Sequence, residues 1–128
     1  MDWVADNLHA WLDEASDAEL DEMSYGVIGF DAEGKTRRYS AYESRLSGLK
    51  QEQVIGRHFF EEVGRCMNNR MVARRFDNAL AKDEPLDCVI DYMLAFRSQL
   101  TPVKLRLLSQ PGAPLRYLLV QWQPRTDA

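Results

Sequence analysis

Cysteine is nearly absent: Cys66 and Cys88 are the only two in 128 residues. Two thiols in a chain of this size are more often free than paired, and no CxxC pair accompanies the scattered His9 and His58, so neither a disulfide framework nor a zinc site is expected. Seven Gly and 5 Pro are too few for a collagenous or disordered chain. No apolar run approaches the ~20 residues of a membrane span. The opening MDWVADNLHAWLDEASDAELDE has no basic segment leading into an apolar core, which argues against a secretory signal and for a cytoplasmic protein without a membrane partner. Gly26, Gly29 and Gly34 form neither GxGxxG nor a P-loop, and no His has an evident Ser or Asp partner for a hydrolytic triad.

Positive charge is missing from one end. Residues 1–22 hold eight acids and no Lys or Arg, so the overall charge of −4 leaves residues 23–128 at +4. With 45% hydrophobic and 28% charged residues, the chain fits one globular core, large enough to bury roughly two-thirds of its unfolded surface without a metal. The composition divides it into an acidic N-terminal helical cap at 1–22, a body at 23–124 and a short tail at 125–128. In the cap, Leu8, Trp11, Leu12 and Ala15 recur at helical spacing and need a surface to cover.

From Tyr25, YGVIGFD reads as a strand, AEGK as a turn and TRRYS as a second strand. The next stretch breaks into short helical pieces at Gly48, Gly56 and Gly64, where a pocket can form. Asn68 or Asn69 is expected to cap a helix through MVARRFDNALAKD, with Met71, Val72, Phe76, Ala79 and Leu80 buried and Pro85 beyond its end. LDCVIDYMLAF, LTPVKLRLLSQ and LRYLLVQWQ are three further strands. The sum predicts an α+β fold: a five-stranded antiparallel sheet, helices on one face, and the Trp11 segment available to cover the other.

Tyr39 ends the second strand, and a helix starting at Ser40 brings Glu43 to the same side, a phenol and a carboxyl able to share a cavity. Burial there raises the Glu43 pKa and favours the neutral acid, a proton donor; the plain reading is a half-exposed Tyr beside a solvated Glu. Cys66 lies before the Asn cap, where free amides, the helix dipole and Arg65 favour a thiolate, although a buried, inert cysteine is the commoner case. His58 offers Cys66 a weak base, and Cys88 falls in a strand, read as core. Arg65, Arg70, Arg74 and Arg75 make the central helix basic, either a solvated face, an anionic partner's site or a dock for the acidic cap. No aromatics interleave with these arginines, so no nucleic-acid partner is expected.

Taken together, YGVIGFDAEG, RRYSAYES, QVIGRHFFEEVGRC and DYMLAFRSQLTPVKLRL resemble the photoactive yellow protein family, blue-light receptors of the PAS superfamily, over roughly residues 17–122. The resemblance implies a PAS fold in which 23–124 is the photosensory domain. It implies p-coumaric acid (4-hydroxycinnamate) bound as a thioester on Cys66, its phenolate held by Tyr39 and Glu43, with Ser47 supporting the tyrosine. Leu49, Phe59, Tyr92, Phe96 and Leu100 fall at positions around the chromophore. Light-driven trans–cis isomerisation would take a proton from Glu43, leave a buried carboxylate and loosen the N-terminal cap. A downstream signalling protein is implied as partner.

Several positions depart from the family pattern. Leu49 stands where an arginine usually faces the phenolate, and it supplies neither charge nor donors. Arg65 replaces a proline, Ser44 a glycine, and the chain continues past the last strand as QWQPRTDA, whose Trp122 is a candidate partner contact. The leading reading is a non-enzymatic photoreceptor, monomeric or a weak dimer. The alternative is a PAS module that binds a small ligand or a protein without a photocycle. An enzyme using Cys66 as nucleophile with His58 or Glu43 as base ranks third, for want of an orienting group.

Overall fold

Alternating apolar residues in five extended runs give each strand two usable faces, and the fold covers both. The computed structural model describes residues 1–96 and 98–122, except for the side chain of Phe96. β1 (Gly26–Phe30) and β2 (Thr36–Tyr39) form the expected hairpin, and β3 (Leu86–Phe96), β4 (Gln99–Ser109) and β5 (Arg116–Trp122) a meander. The order is β2-β1-β5-β4-β3 with antiparallel pairing throughout, so the connection from β2 to β3 crosses the whole sheet.

That crossover carries α3 (Ala41–Ser47), α4 (Gln51–Val54), a π-helical turn at Phe59–Val63, a 3-10 turn at Arg65–Met67 and α5 (Ala73–Lys82). Under them, Ile28, Phe30, Leu105, Leu118 and Val120 pack against Phe59, Phe60 and Phe76. Side-chain alternation turns Val27, Tyr117 and Leu119 to the opposite face. There α1 (Leu8–Glu14) and α2 (Asp17–Asp21) bury Leu8, Leu12 and Leu20, each burial worth about 1.5–3 kcal/mol before ordering entropy. The α+β architecture read from the sequence is the one observed, with helices on one face and the acidic segment on the other.

The acidic segment does not dock on the basic central helix. Arg65, Arg70, Arg74 and Arg75 are exposed. The hold comes instead from two arginines of the sheet. Arg38 donates to the carbonyls of Leu12 (2.6 Å) and Ala15 and pairs with Asp17 at 3.0 Å, satisfying acceptors that the end of α1 leaves open. Arg106 donates to the Trp3 carbonyl at 2.7 Å while gripping Asp87. At the far end of the cap, Asp21 accepts from the Ala41 N–H (2.8 Å) and the Gln51 amide (3.1 Å).

Other expectations shift. Met71 and Leu80 are 45% and 48% exposed, because α5 begins only at Ala73 and buries the narrower stripe Ala73, Phe76 and Ala79. Neither Asn68 nor Asn69 caps α5, whose N-cap is Val72; the Asn69 Oδ1 accepts from the Met71 and Val72 amides in the turn before the helix. The helix stops at Asp83, in the left-handed region at φ 54°, before Pro85 is reached. Cys88 is half-buried, 3.5 Å from an Arg75 nitrogen. The expected tail at 125–128 lies outside the described residues. Among the described residues, no helix is long and apolar enough to cross a membrane.

Candidate functional site

The site is built where β2 turns into α3. Ser40 stops the strand and accepts the Val27 N–H at 2.9 Å, fixing the corner. One side of that corner carries Tyr39 and the first turn of α3 carries Glu43, both buried. At the end of α3, Ser47 lies 2.8 Å from the Tyr39 hydroxyl, and Gly48, at φ 78°, reverses the chain so that Leu49 folds back toward Tyr39. The Leu49 amide donates to Ser47 Oγ at 3.2 Å.

Tyr39, Glu43, Ser47, Leu49, Phe59 and Cys66 line one cavity of about 410 Å³. The sequence reading thus brings six of its site residues together. Cys66 is a free, exposed thiol in the Arg65–Met67 turn, well ahead of α5, so the dipole of that helix does not act on it as expected. His58 is not among the residues lining this cavity, and its Nδ1 accepts the Glu61 N–H at 3.2 Å at the start of the π-helical turn.

Two expected lining residues are elsewhere. Leu100 is the second residue of β4 and is 64% exposed. Tyr92 borders a separate surface groove; its hydroxyl donates to the Cys66 carbonyl at 2.6 Å and accepts from Asn69 at 2.7 Å, so it fixes the cysteine turn through the backbone. The side chain of Phe96 is outside the described residues.

Seven further lining residues were not foreseen, among them Trp122, Met67 and Leu94. Trp122 shares a face with Leu118 and Val120 by the two-residue period of β5, and its indole N–H donates to Glu43 Oε1 at 2.9 Å. That period is legible in LRYLLVQWQ, but the sequence reading offers Trp122 as a partner contact and not as a wall of the site. Met67 and Leu94 complete the apolar wall. Beneath the carboxyl, Gly26 leaves necessary room, since a Cβ there would stand 2.1 Å from Glu43 Oε1.

Burial dominates the electrostatics. It pushes the Glu43 carboxyl up from 4.5 to about 7, against the opposing pull of the Trp122 N–H. Tyr39 is raised well above the ordinary phenol value by burial and by the neighbouring Glu43 charge, with the Ser47 bond acting the other way. Its hydroxyl therefore stays neutral at any physiological pH. Among the described residues lining the cavity, none carries a positive charge.

No family model matches the chain. It is 30% identical over 103 residues to the photoactive yellow protein of Halochromatium salexigens, covering 80% of this chain and 82% of that one. It is 28% identical over 102 residues to the photoactive yellow protein of Rhodothalassium salexigens, covering 80% and 81%. In structure it matches the photoactive yellow protein domain of the sensor histidine kinase Ppr from Rhodospirillum centenum with a TM-score of 0.80 and 32% identity over 88% of this chain and 97% of that domain. The PAS domain of the Cronobacter turicensis RpfR quorum-sensing receptor, at 16% identity and a TM-score of 0.55 over 80% and 97%, shares the fold. With its PAS fold and this similarity along four-fifths of its length, the chain belongs to the photoactive yellow protein family.

Proposed function

We propose that this chain is a cytoplasmic blue-light photoreceptor that carries p-coumaric acid as a thioester on Cys66 and signals to a downstream protein, without turnover chemistry. The observation that supports this most is the meeting of Tyr39, Glu43 and a free Cys66 on one cavity. The volume of about 410 Å³ falls within the range usual for small-molecule pockets, ~300–1,000 Å³. Phe59, Met67 and Leu94 offer an apolar sleeve for an aromatic ring, and the Tyr39–Ser47 pair and Glu43 offer polar groups for its hydroxyl. When bound, the hydroxycinnamoyl group supplies a double bond that light isomerises and a phenolic oxygen that exchanges a proton.

The residues divide the remaining work. Cys66 anchors, and Tyr92 keeps its turn in place through the carbonyl. Tyr39, too weak an acid to ionise, donates without losing its proton, and Ser47 orients it. Glu43, with its midpoint near neutrality, holds or releases a proton at small cost in either direction, which suits a proton donor. Its carboxylate is unfavourable inside the fold, and the segment 1–22, acting as a cap, is the part this strain would loosen first.

A PAS ligand-binding or interaction module without a photocycle is favoured by one feature, the absence of a cation among the described lining residues where Leu49 stands. Reconstitution with activated coumaric acid separates the two readings. The native chain, but not Cys66→Ala, should gain the coumaroyl mass and a visible band that bleaches under blue light and recovers. Attachment without a reversible bleach supports the module; no attachment to Cys66 removes the photoreceptor reading.

A further inference from the structure

Glu43 Oε1 is enclosed from two sides by neighbouring strands. Gly26 of β1 lies under it with no side chain, and Trp122 reaches it from β5, two residues beyond the Val120 that pairs with Gly26. The indole N–H is the hydrogen bond that tends to lower the carboxyl's pKa. Other groups around the carboxyl give it little help as an anion: Tyr39 from β2 and Tyr42 from α3 are both phenols, and Arg45 is drawn over the Tyr42 ring at 6.0 Å.

We propose that Trp122 is a positioning residue of the site: its indole N–H holds Oε1 of Glu43 against Gly26, leaves the second carboxyl oxygen for a phenolic group in the cavity, and stabilises the carboxylate once the proton has left. A single neutral donor thereby does both jobs. With Glu43 protonated, the bond falls on the carbonyl-type oxygen and keeps the O–H for the ligand. After proton loss the same bond becomes charge-assisted and stronger. Trp122 thus belongs to the cavity, not to a partner surface. Its part in ligand binding rests on the hydroxycinnamate reading of the cavity, whereas its hold on Glu43 does not.

The test uses the full chain without ligand, so its outcome is independent of whether a chromophore attaches. In a 15N-labelled sample the three indole N–H signals, from Trp3, Trp11 and Trp122, are followed from roughly pH 5 to roughly pH 9, alongside the 13C signal of the Glu43 carboxyl. The Trp122 indole should titrate with the Glu43 midpoint, near 7, and Glu43→Gln should flatten that titration. In Trp122→Phe, which keeps a ring and loses the donor, the Glu43 midpoint should rise by about one pH unit. A tryptophan that merely packs would leave the midpoint in place. An indole signal indifferent to Glu43, in the native chain where folding is not in question, overturns the proposal, as does an unmoved midpoint in Trp122→Phe.

Discussion

Replacing Glu43 by Gln should make the protein more stable at alkaline pH and leave it unchanged in acid. The folded carboxyl is held above its unfolded value, 4.5 rising to about 7, because burial disfavours the charge. Between those two values the folded state keeps a proton that the unfolded chain has lost, so stability falls as pH rises through the window and the loss is complete above about 7. At ~1.4 kcal/mol per unit, the shift corresponds to about 3 kcal/mol. Glu43 is 5% exposed, so solvent screening reduces this little. Glutamine keeps an oxygen for the Trp122 N–H and cannot ionise. Urea unfolding of both proteins should therefore coincide within about 1 kcal/mol near pH 4 and diverge by about 3 kcal/mol at pH 8, or roughly 10 °C in Tm. Every other ionisable group is common to both proteins and cancels in the difference. Parallel stability curves across this range would refute the claim that burial controls Glu43.

Gly26→Ala places a Cβ 2.1 Å from Glu43 Oε1 and should cost about 1–3 kcal/mol in urea unfolding while shifting the Trp122 indole signal. Arg38→Ala removes the donors to the Leu12 and Ala15 carbonyls; a loss of about 2 kcal/mol should speed amide exchange in residues 1–22 by roughly 30-fold, with the amides of β4 unaffected. Leu49→Arg brings a cation to the cavity wall and should lower the Glu43 midpoint by about one unit, read from the carboxyl 13C signal without any ligand.

The fold was legible where periodicity and turn residues agreed. The AEGK turn, the Pro-Gly turn before the last strand and two-residue alternation place the five strands, and the Leu8, Leu12 spacing marks the face that the cap buries. Within the crossover, pattern ran out. Met71 and Leu80 fit a helical stripe, yet one precedes the helix and the other sits on its flank, a distinction that depends on where α5 meets the sheet. The local part of the site, Tyr39, Glu43 and Ser47, lies within one strand–helix corner and follows from short spacing. Trp122 and Gly26 reach Glu43 only because β5 and β1 are neighbours in the sheet, a pairing between opposite ends of the chain that no local pattern encodes. Tyr92 failed as a wall residue for a similar reason: its strand is placed correctly, but its hydroxyl is drawn to the Cys66 carbonyl.

The same corner gives the proposed signal a physical route. β2 turns Arg38 toward the cap and Tyr39 toward the cavity, and Asp21 of the cap takes the Ala41 N–H at the start of the helix that carries Glu43. Gln51 ties the two together, donating to Asp21 at 3.1 Å and to the Tyr39 carbonyl at 2.8 Å. A carboxylate forced on Glu43 costs about 3 kcal/mol, similar to one charge-assisted contact of about 1.5–3 kcal/mol and well short of the combined burial of Leu8, Leu12 and Leu20 beneath the cap. The energy is enough to break the Asp21–Ala41 link and too little to lift the whole cap. Loosening should therefore begin at α2, with Leu8 and Leu12 still docked. Because Trp122 stabilises that carboxylate, it weakens the drive, and a chain lacking its indole N–H should release the α2 end more readily.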